Sequence, residues 1–520
     1  MFNGKKKCLP SLAGVKGVVL LNGKVSLMTS NQQFVKSFLT GISLVVMPAA
    51  GMNANAETLD EALTYTYVAN PSLAAQRAYV KSVYEQINES KSGYKPTIAG
   101  QASYGYTYQR QRSRPGFSEN ESMPVNMGVN AVQPLFSGFG TVASVKAARH
   151  KFEAEKAKLQ DLEQSVLTQA VVAYTDVIRA IAVWKLNQNN EAVLKRQLDY
   201  TRDRFRVGEL TKTDVAQAEA RYAGAVSSRI QAEGNVKVAY ATYQETVGKM
   251  PDKIFEPEVP AAKLPQTLED ALAVAGKNNP SVISAEYQEK QAKSGVDVAK
   301  SAYYPSLNLQ ASYLNSRANA HGTASVYDAG AYRGTVQTGR AREEDSSVKL
   351  VLDVPFYTAG VVSSKVTQAK LAERQAALGI VSVRRAVEQA TTQAWENYQS
   401  TLAGLSSLQE QVRASELALD GVRHEEQAGT RTILDVLNAE QELLNARVSL
   451  VSAKKNLIDA SYLLISAMGL MTPDNLDLDI DRYRKNAAPA TEKPVQSAET
   501  EDKQPAADNA EADSAAEEQV

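Results

Sequence analysis

Two halves of this 520-residue chain carry the same landmarks in the same order. Residues 58–63 (TLDEAL) recur 209 positions later at residues 267–272 (TLEDAL), and the same offset joins the two NPS motifs. Further along, Pro134 and Pro355 are 221 positions apart, so the second half holds 12 additional residues. A period this long is unlike that of solenoid repeats. We therefore predict a duplicated unit, with copies at 57–250 and 267–470 joined by a linker at 251–266.

Each copy contains a glycine turn between two long, proline-free stretches. In each turn a threonine follows the glycine by three positions, and an aspartate follows the threonine by three. The residues are Gly208, Thr211 and Asp214 in the first copy and Gly429, Thr432 and Asp435 in the second. Glycine tolerates the positive φ of a chain reversal, and the threonine–aspartate spacing predicts a capping box at the start of a helix.

These turns predict two long helical hairpins. The outgoing helices should run from about residue 139 to 206 and from about 359 to 427, and the return helices over about 211–248 and 432–468. Helices of this length, roughly 100 Å at about 1.5 Å per residue, are stable only when they pack sideways on partners. Tyr174 and Trp395 hold equivalent mid-helix positions and are predicted to be packing residues.

Before each long hairpin the sequence predicts two short helices, broken at Asn70–Pro71 and Asn279–Pro280, and then two strands of alternating pattern. Their apolar faces comprise Ile98, Ala102, Tyr104, Tyr106 and Tyr108; Val125, Met127, Val129 and Ala131; Leu307, Leu309, Ala311 and Tyr313; and Val348, Leu350, Leu352 and Val354. We expect four strands of about 9–11 residues, the length that crosses a bilayer when tilted, with 110–123 and 317–345 as exposed loops. A soluble sheet with one wet face is the alternative.

The beginning of the chain favours a membrane location. Residues 38–50 form an apolar run after Lys36, and residues 54–56 (ANA) form a signal-peptidase site, so 1–56 is predicted to be a signal peptide that starts at Met28 in the cell. The only cysteine, Cys8, falls in this leader. An exported chain with amphipathic strands and tyrosines near their ends is typical of an outer-membrane β-barrel.

Four strands cannot close a barrel, and lipid does not tolerate open sheet edges. Several chains must therefore share one barrel. Two chains would give eight strands with a filled interior, and three would give twelve strands with room for a pore; the ring of long helices favours three. The expected fold is mixed α and β: a trimeric 12-stranded barrel continued by a helical barrel.

Other classes of protein are not indicated. The formal net charge of −1 gives no electrostatic case for nucleic acid. The three histidines are scattered, and the sequence shows no phosphate loop, nucleophile elbow or zinc pattern, so no enzyme activity, cofactor or metal is expected. Residues 471–486 are interpreted as a C-terminal strap and 487–520 as an acidic, disordered tail.

Across residues 57–486 the chain resembles the TolC-like outer-membrane channels, also called outer membrane factors. The resemblance lies in NPSL and NPSV, in PLFSG and PFYTAG at the strand ends, and in GTRTILDVLNAEQELLNAR, which is most similar to the branch that serves type I protein secretion. It implies a homotrimer in the outer membrane that projects into the periplasm. There it docks on a periplasmic adaptor protein coupled to an inner-membrane ABC transporter.

The resemblance also implies roles for residues at the hairpin turns. The adaptor would contact Val207, Gly208 and Leu210 in the first turn and Gly429, Thr430 and Arg431 in the second. Asp435 would form a cation-attracting ring at the entrance, and Arg431 and Asp214 would make the links that hold it closed. Asn438 stands where the best-known member of the family has a second aspartate. From the residues alone, helix capping is the alternative role for both aspartates, and a solvated turn position is the alternative for Arg431.

The function predicted from the sequence is a passive exit duct for a type I secretion system, carrying a secreted protein across the periplasm and outer membrane. The alternative is the same duct in an efflux pump for small molecules. A periplasmic coiled-coil scaffold without a pore is the third possibility.

Overall fold

A computed structural model describes residues 57–112, 117–251, 253–328 and 331–480. The predicted signal peptide with Met28 and Cys8, the end of the predicted strap and the acidic tail lie outside this range.

Eight helices make up most of the described chain. Two short helices come first, α1 (Leu59–Ala69) and α2 (Pro71–Lys91), and a second short pair, α5 (Leu268–Asn278) and α6 (Pro280–Ser301), follows the linker. The long hairpins are α3 (Gly140–Arg206) with α4 (Lys212–Val247), and α7 (Val361–Gln427) with α8 (Ile433–Ala467). The predicted helices and their breaks are confirmed. At Asn70 and Asn279 the asparagine side chain caps the next helix, and the proline after it occupies the first turn, where no amide donor is needed.

The strands form one antiparallel sheet. They are β1 (Thr97–Tyr104), β2 (Thr107–Arg112), β3 (Phe117–Ser137), β4 (Ser306–Asp328) and β5 (Ala331–Asp353), in the order β1-β3-β4-β5 with β2 also paired to β3. The register on β3 continues unbroken from Tyr104↔Val125 to Thr107↔Ser122. The gap between β1 and β2 lies opposite Pro124, which has no amide hydrogen to donate. The described sheet is therefore four strands wide.

The predicted strand lengths were wrong. The segments 110–123 and 317–345, expected to be loops, are mostly strand, and β3, β4 and β5 contain 21, 23 and 23 residues. Their polar composition indicated loops because both faces of these outer halves carry polar side chains, which removes the alternating signal. Cross-strand polar contacts hold them instead: the Thr107 and Ser122 hydroxyls are 2.6 Å apart, and Arg110 pairs with Glu119 at 2.8 Å.

The register places the predicted apolar residues on one face of the sheet. The pairs Ile98↔Ala131, Val129↔Tyr313 and Leu309↔Leu350 bring the four apolar rows side by side. This face is uncovered: Ile98 is 72% exposed and Val348 is 74% exposed. The opposite face carries hydrogen-bonded polar side chains, for example Ser316 donating to Asn126 at 2.7 Å. The inner half of the sheet is thus apolar on one side and polar on the other.

The main hydrophobic core lies among the helices. Buried side chains from α1, α3, α4, α5, α7 and α8 meet there, including Leu63, Leu167, Val171, Tyr243, Leu464, Ile465 and Met468. Tyr174 is fully buried and Trp395 packs against the same cluster, which confirms both as packing residues. Among the described helices, α3 alone is long and apolar enough to cross a membrane by composition, but half of that apolar window is buried inside the fold. Packing within the core accounts for its apolar character.

A polar clasp fastens the start of the described chain to this core. The Tyr174 hydroxyl donates to the carbonyl oxygens of Glu57 and Phe255, both at 2.9 Å. The carboxylate of Glu57 accepts from the Tyr243 hydroxyl at 2.8 Å and pairs with Lys249 at 2.9 Å. Burial raises the pKa of Tyr174, which keeps its hydroxyl protonated as a donor. The clasp joins residues at both ends of the first predicted copy.

We expect Tyr174→Phe to destabilise the protein by about 1–3 kcal/mol, because the hydroxyl proton shared by the Glu57 and Phe255 carbonyl oxygens is lost while the ring is retained. The measurement is the midpoint of denaturant unfolding followed by helical circular dichroism. Tyr79→Phe, at an exposed ring, is the matched control and should change the midpoint little. Equal midpoints for the two variants would show that the Tyr174 hydroxyl contributes nothing.

Candidate channel entrance and membrane surface

The two hairpin turns have the same backbone geometry. After α3 the amide of Gly208 donates to Phe205 and that of Glu209 to Arg204; after α7 the amide of Gly429 donates to Glu426 and that of Thr430 to Glu425. This pair of hydrogen bonds is the Schellman arrangement, which needs a residue with positive φ just past the helix end. Gly208 has φ +86° and Gly429 has φ +79°, with open space around each. Glycine is therefore favoured at both turns by the positive φ angle, and not by a lack of space for a side chain.

Both return helices begin with the predicted capping boxes. In α4 the Thr211 amide donates to Asp214 at 2.9 Å, and the Asp214 amide donates back to the Thr211 hydroxyl at 3.3 Å. Thr432 and Asp435 repeat these bonds in α8 at 3.0 and 3.3 Å. The capping role considered for both aspartates is thus present in the structure.

These hydrogen bonds lower the pKa of both carboxylates. For Asp214 the side-chain bond from Thr211 is the largest cause, and for Asp435 it is the backbone bond from Thr432. A lowered pKa in the folded state means that each cap stabilises the helix above the unfolded value of about 3.9 and is lost as the pH falls through the folded value. Both side chains therefore carry negative charge at neutral pH.

The structure pairs the other predicted entrance residues locally. The Arg431 guanidinium donates to Glu425 of its own hairpin at 2.9 Å, so the ion pair lies within one turn and does not join Arg431 to Asp214 in this protomer. Asn438 accepts a hydrogen bond of 2.8 Å from Arg221 of α4. Asn438 thus connects the second hairpin to the first.

A second contact between the hairpins was not predicted. Arg204, near the end of α3, pairs with Glu426 of α7 at 2.6 Å and with Glu209 of its own turn at 2.9 Å. The Glu426 side chain is only 8% exposed. Sequence gives no signal for this pair, because its members lie in different hairpins more than 200 positions apart. The equivalent positions of the two turns in the repeat indicate only that the ends of α3 and α7 lie side by side at the same end of the molecule.

An apolar cluster supports these links. Leu194 of α3, Ala225 of α4, and Ile433 and Leu437 of α8 are buried together, and Leu210 packs against them. The first turn of α8 is therefore seated on the first hairpin. Among the predicted docking residues Leu210 is half-buried, whereas Val207, Gly208, Gly429, Thr430 and Arg431 are exposed, Val207 to 72%.

The apolar face of the sheet is bounded by aromatic residues at both ends. Tyr104, Tyr106, Tyr108 and Tyr313 lie at its outer limit, and Phe136, Phe139, Tyr303, Tyr304, Phe356 and Tyr357 lie where the strands meet the helices. On β4 the apolar stretch from Leu307 to Tyr313 covers six residue steps, about 20 Å along the strand at roughly 3.3 Å per residue, or about 15 Å of height at a tilt of about 40°. Transmembrane barrels have an apolar band about 25 Å tall between two aromatic girdles. The face has the pattern of a lipid-contacting surface, with aromatic residues that extend the apolar stretch at both ends.

An open sheet with an apolar band bounded by aromatic residues, continued by helical hairpins with capped tips, defines the class of outer-membrane channel proteins. The chain belongs to the family described as "Outer membrane efflux protein", whose model matches residues 66–249 and 271–470. This confirms the resemblance to TolC-like outer membrane factors and the location in the outer membrane. Members of this family are channel proteins and not enzymes.

Individual relatives agree with this assignment. The chain is 34% identical over 436 residues to the outer membrane efflux protein BepC of Brucella suis, covering 84% of this chain and 90% of BepC. It is 26% identical over 409 residues to Escherichia coli TolC, covering 75% and 79%. The proteases secretion protein PrtF of Dickeya chrysanthemi is 22% identical over 418 residues, covering 76% and 85%. The fold matches a crystal structure of CusC with a TM-score of 0.66 at 17% identity, covering 79% and 92%.

We expect Arg204→Gln to loosen the contact between the two tips, because it leaves the buried Glu426 carboxylate without a cation, at a local cost of about 1–3 kcal/mol. Hydrogen exchange of the amides around residues 204–210 and 426–433 should accelerate, while exchange in the main core stays unchanged. The double variant Arg204→Gln with Glu426→Gln should restore part of the protection, since no buried charge then remains.

Arg413→Gln is the control. It removes the same charge, but Arg413 pairs with Glu410 on an exposed face of α7. Should this control accelerate exchange at the tips as much as Arg204→Gln does, the pair with Glu426 would have no specific role.

Proposed function

We propose that this protein is a passive, trimeric exit duct of a type I secretion system, crossing the outer membrane and the periplasm with a gated periplasmic entrance. The observation that carries the proposal is the four-strand-wide sheet with one exposed apolar face. In the described part of the chain the outer edges of β1 and β5 pair with no further strand. Lipid-exposed sheet edges must be paired, so other copies of the chain supply the missing neighbours.

A trimer of this sheet gives twelve strands, enough for a barrel that encloses a pore. The helices support the same stoichiometry, because α7 carries exposed leucines, among them Leu371, Leu378 and Leu417. A long helix with an exposed apolar row is stabilised by packing on a partner. In the proposed assembly these leucines lie against a hairpin of the adjacent protomer.

The domain organisation is part of this proposal. A signal peptide at 1–56 delivers the chain to the periplasm. The copies at 57–250 and 267–470 each contribute two strand positions in the sheet, with β1 and β2 sharing one, and one long hairpin. The order of short helices, strands and long hairpin is the same in both halves, which supports an origin by duplication. The linker 251–266 and the strap 471–486 close the protomer, and the acidic tail follows.

Protein secretion is the preferred use of the duct. The similarity of the second turn to the type I secretion branch supports it, and PrtF is named for protease secretion. The second candidate, small-molecule efflux, is favoured by the higher identity to BepC, which is named as an efflux protein. A scaffold without a pore would leave the apolar band without a partner, which disfavours it.

The entrance is proposed to lie at the tips. Three copies of Asp435 around one axis would make a ring of negative charge that concentrates cations at a narrow opening. Arg431 and Asp214 would pair between protomers when the entrance is closed, which requires Arg431 to exchange Glu425 for Asp214. The exposed turn residues then meet a periplasmic adaptor, which couples the duct to an inner-membrane ABC transporter that supplies the energy.

We expect the double variant Arg431→Gln with Asp214→Asn to raise single-channel conductance in planar bilayers severalfold, because the links between protomers are lost while asparagine can still accept the Thr211 amide. Thr211→Ala is the control, since it weakens the same helix cap without changing charge. Unchanged conductance in the double variant, or an equal rise in Thr211→Ala, would contradict the gate.

Deleting the gene tests the two uses of the duct. Loss of one secreted protein from the medium without increased sensitivity to small toxic compounds supports secretion. Increased sensitivity with normal secretion supports efflux and contradicts the preferred use. Complementation with the wild-type chain should reverse either phenotype, and the Arg431→Gln with Asp214→Asn variant should restore transport, because the path remains open.

A further inference from the structure

Three arginines follow the outer end of the apolar band on the same face of the sheet. On β4 the residues facing this side after Tyr313 are Asn315, Arg317 and Asn319, because side chains alternate along a strand. The register pairs Arg317 with Arg342 and Asn319 with Arg340 of β5. All three arginines therefore lie on the face that carries the apolar rows. They lie beyond Tyr313 along β4, and Arg317 and Arg342 share the cross-strand row of Tyr104.

The direct pairing of two arginines is unfavourable by itself, since like charges opposite one another destabilise a sheet. Glu344 compensates only part of this charge: it pairs with Arg342 and accepts from Asn315 at 2.9 Å. The Nε of Arg317 donates to the Asn315 amide oxygen at 3.2 Å, a neutral partner. In the described part of the chain Glu344 is the one carboxylate in contact with the three arginines, and the Arg342 side chain remains 62% exposed. The cluster therefore carries a net positive charge, with three arginines and one carboxylate.

The other acidic residues of this face lie on β3. Glu119 pairs with Arg110 of β2 at 2.8 Å and also accepts from the Tyr108 hydroxyl, and Glu121 lies opposite Tyr108. Arg110 and Arg112 of β2 match these two carboxylates in number, so that side of the sheet is locally balanced. The excess of positive charge is confined to β4 and β5.

The proposed placement of the sheet in the membrane puts the arginines at the depth of lipid headgroups. Arg317 follows Tyr313 by four residues, which is about 13 Å along the strand and about 10 Å along the membrane normal at a tilt of about 40°. Tyrosine rings mark the boundary of the hydrocarbon region. The strand continues away from the periplasmic helices, so this is the outer leaflet.

We propose that Arg317, Arg340 and Arg342 bind the phosphate groups of an outer-leaflet lipid. A guanidinium group donates two parallel hydrogen bonds to a phosphate, and an anion between Arg317 and Arg342 would relieve their repulsion. The inference rests on the proposed membrane placement of the sheet. It assigns a lipid class to the channel wall and is independent of what the channel transports.

The test compares two lipid probes on the purified mature protein in detergent. One is a bisphosphorylated glucosamine-disaccharide lipid, and the other is the same lipid without phosphate. Native mass spectrometry measures the lipid retained per trimer over a series of concentrations. We expect the wild-type protein to retain the phosphorylated lipid preferentially, and inorganic phosphate at the same concentration to leave this retention unchanged.

Arg317→Gln with Arg342→Gln should weaken retention about thirtyfold, at about fivefold per arginine near a charged lipid surface. Arg317→Lys with Arg342→Lys should give an intermediate loss, because lysine retains the charge without the paired hydrogen bonds. Lys349→Gln is the matched control: Lys349 lies on β5 but on the polar face, so its neutralisation should leave retention unchanged.

Retention within twofold of wild type in the glutamine double variant would overturn the proposal, and so would equal retention of the two lipids by wild type. A loss in Lys349→Gln as large as in the double variant would also overturn it, since general charge would then account for binding. Conductance in bilayers of uncharged lipid is measured in parallel. If the wild-type protein conducts but shows no preference for the phosphorylated lipid, only the proposed lipid site is contradicted. If it does not conduct, the proposed channel function is contradicted.

Discussion

The backbone hydrogen bonds at the two edges of the sheet constrain the rest of this structure. A sheet in lipid has no water to satisfy its outer amide and carbonyl groups, and each unsatisfied group costs several kcal/mol. In the 23-residue strand β5 every second residue turns both its amide and its carbonyl group to the open edge, so about two dozen such groups point outward along its length. No rearrangement within one protomer removes this cost, because the two edge tracks are separated by β3 and β4. In the proposed assembly other copies of the chain pair these edges, so the fold in a membrane would depend on that assembly.

The junction between strands and helices is held by unusual backbone conformations and by aromatic packing. At the end of β3, Gly138 has φ +60° and Phe139 has φ +66°, and at the corresponding point before α7, Ala359 has φ +48° and Gly360 has φ +81°. A Cβ on Gly138 would lie 2.5 Å from the Ser301 carbonyl oxygen, so only glycine lets the chain pass this close to the end of α6. The left-handed Phe139 costs about 1–2 kcal/mol. Its ring packs edge-on against Phe136 and Tyr304, with ring centroids 5.1 and 5.8 Å away, and this contact helps to offset the strain.

The sequence was most informative where structure is determined locally. The helix ends could be predicted to within one or two residues because Thr211, Thr432 and the two turn glycines act on their immediate neighbours. The inner halves of the strands were visible because one face is apolar. The outer halves were missed because a strand that is wet on both faces has no hydrophobic period. The pair between Arg204 and Glu426 depends on how two hairpins meet, and no local pattern encodes it. The tips were thus predictable one by one but not as a connected pair.

This difference between local and long-range contacts bears on how the entrance could open. Each tip is completed by its own Schellman turn and capping box, and a cap contributes about 1 kcal/mol to its helix. Of the polar contacts between the hairpins at the tips, the Arg204–Glu426 ion pair is largely enclosed, with Glu426 8% exposed, whereas the Arg221–Asn438 hydrogen bond is exposed and contributes about 0.5–1.5 kcal/mol. The apolar cluster around Ile433 and Leu437 is small compared with the core around Tyr174. Sliding one intact hairpin over the other therefore breaks fewer interactions than unfolding either tip, and the core far from the tips is the natural fixed point of that movement.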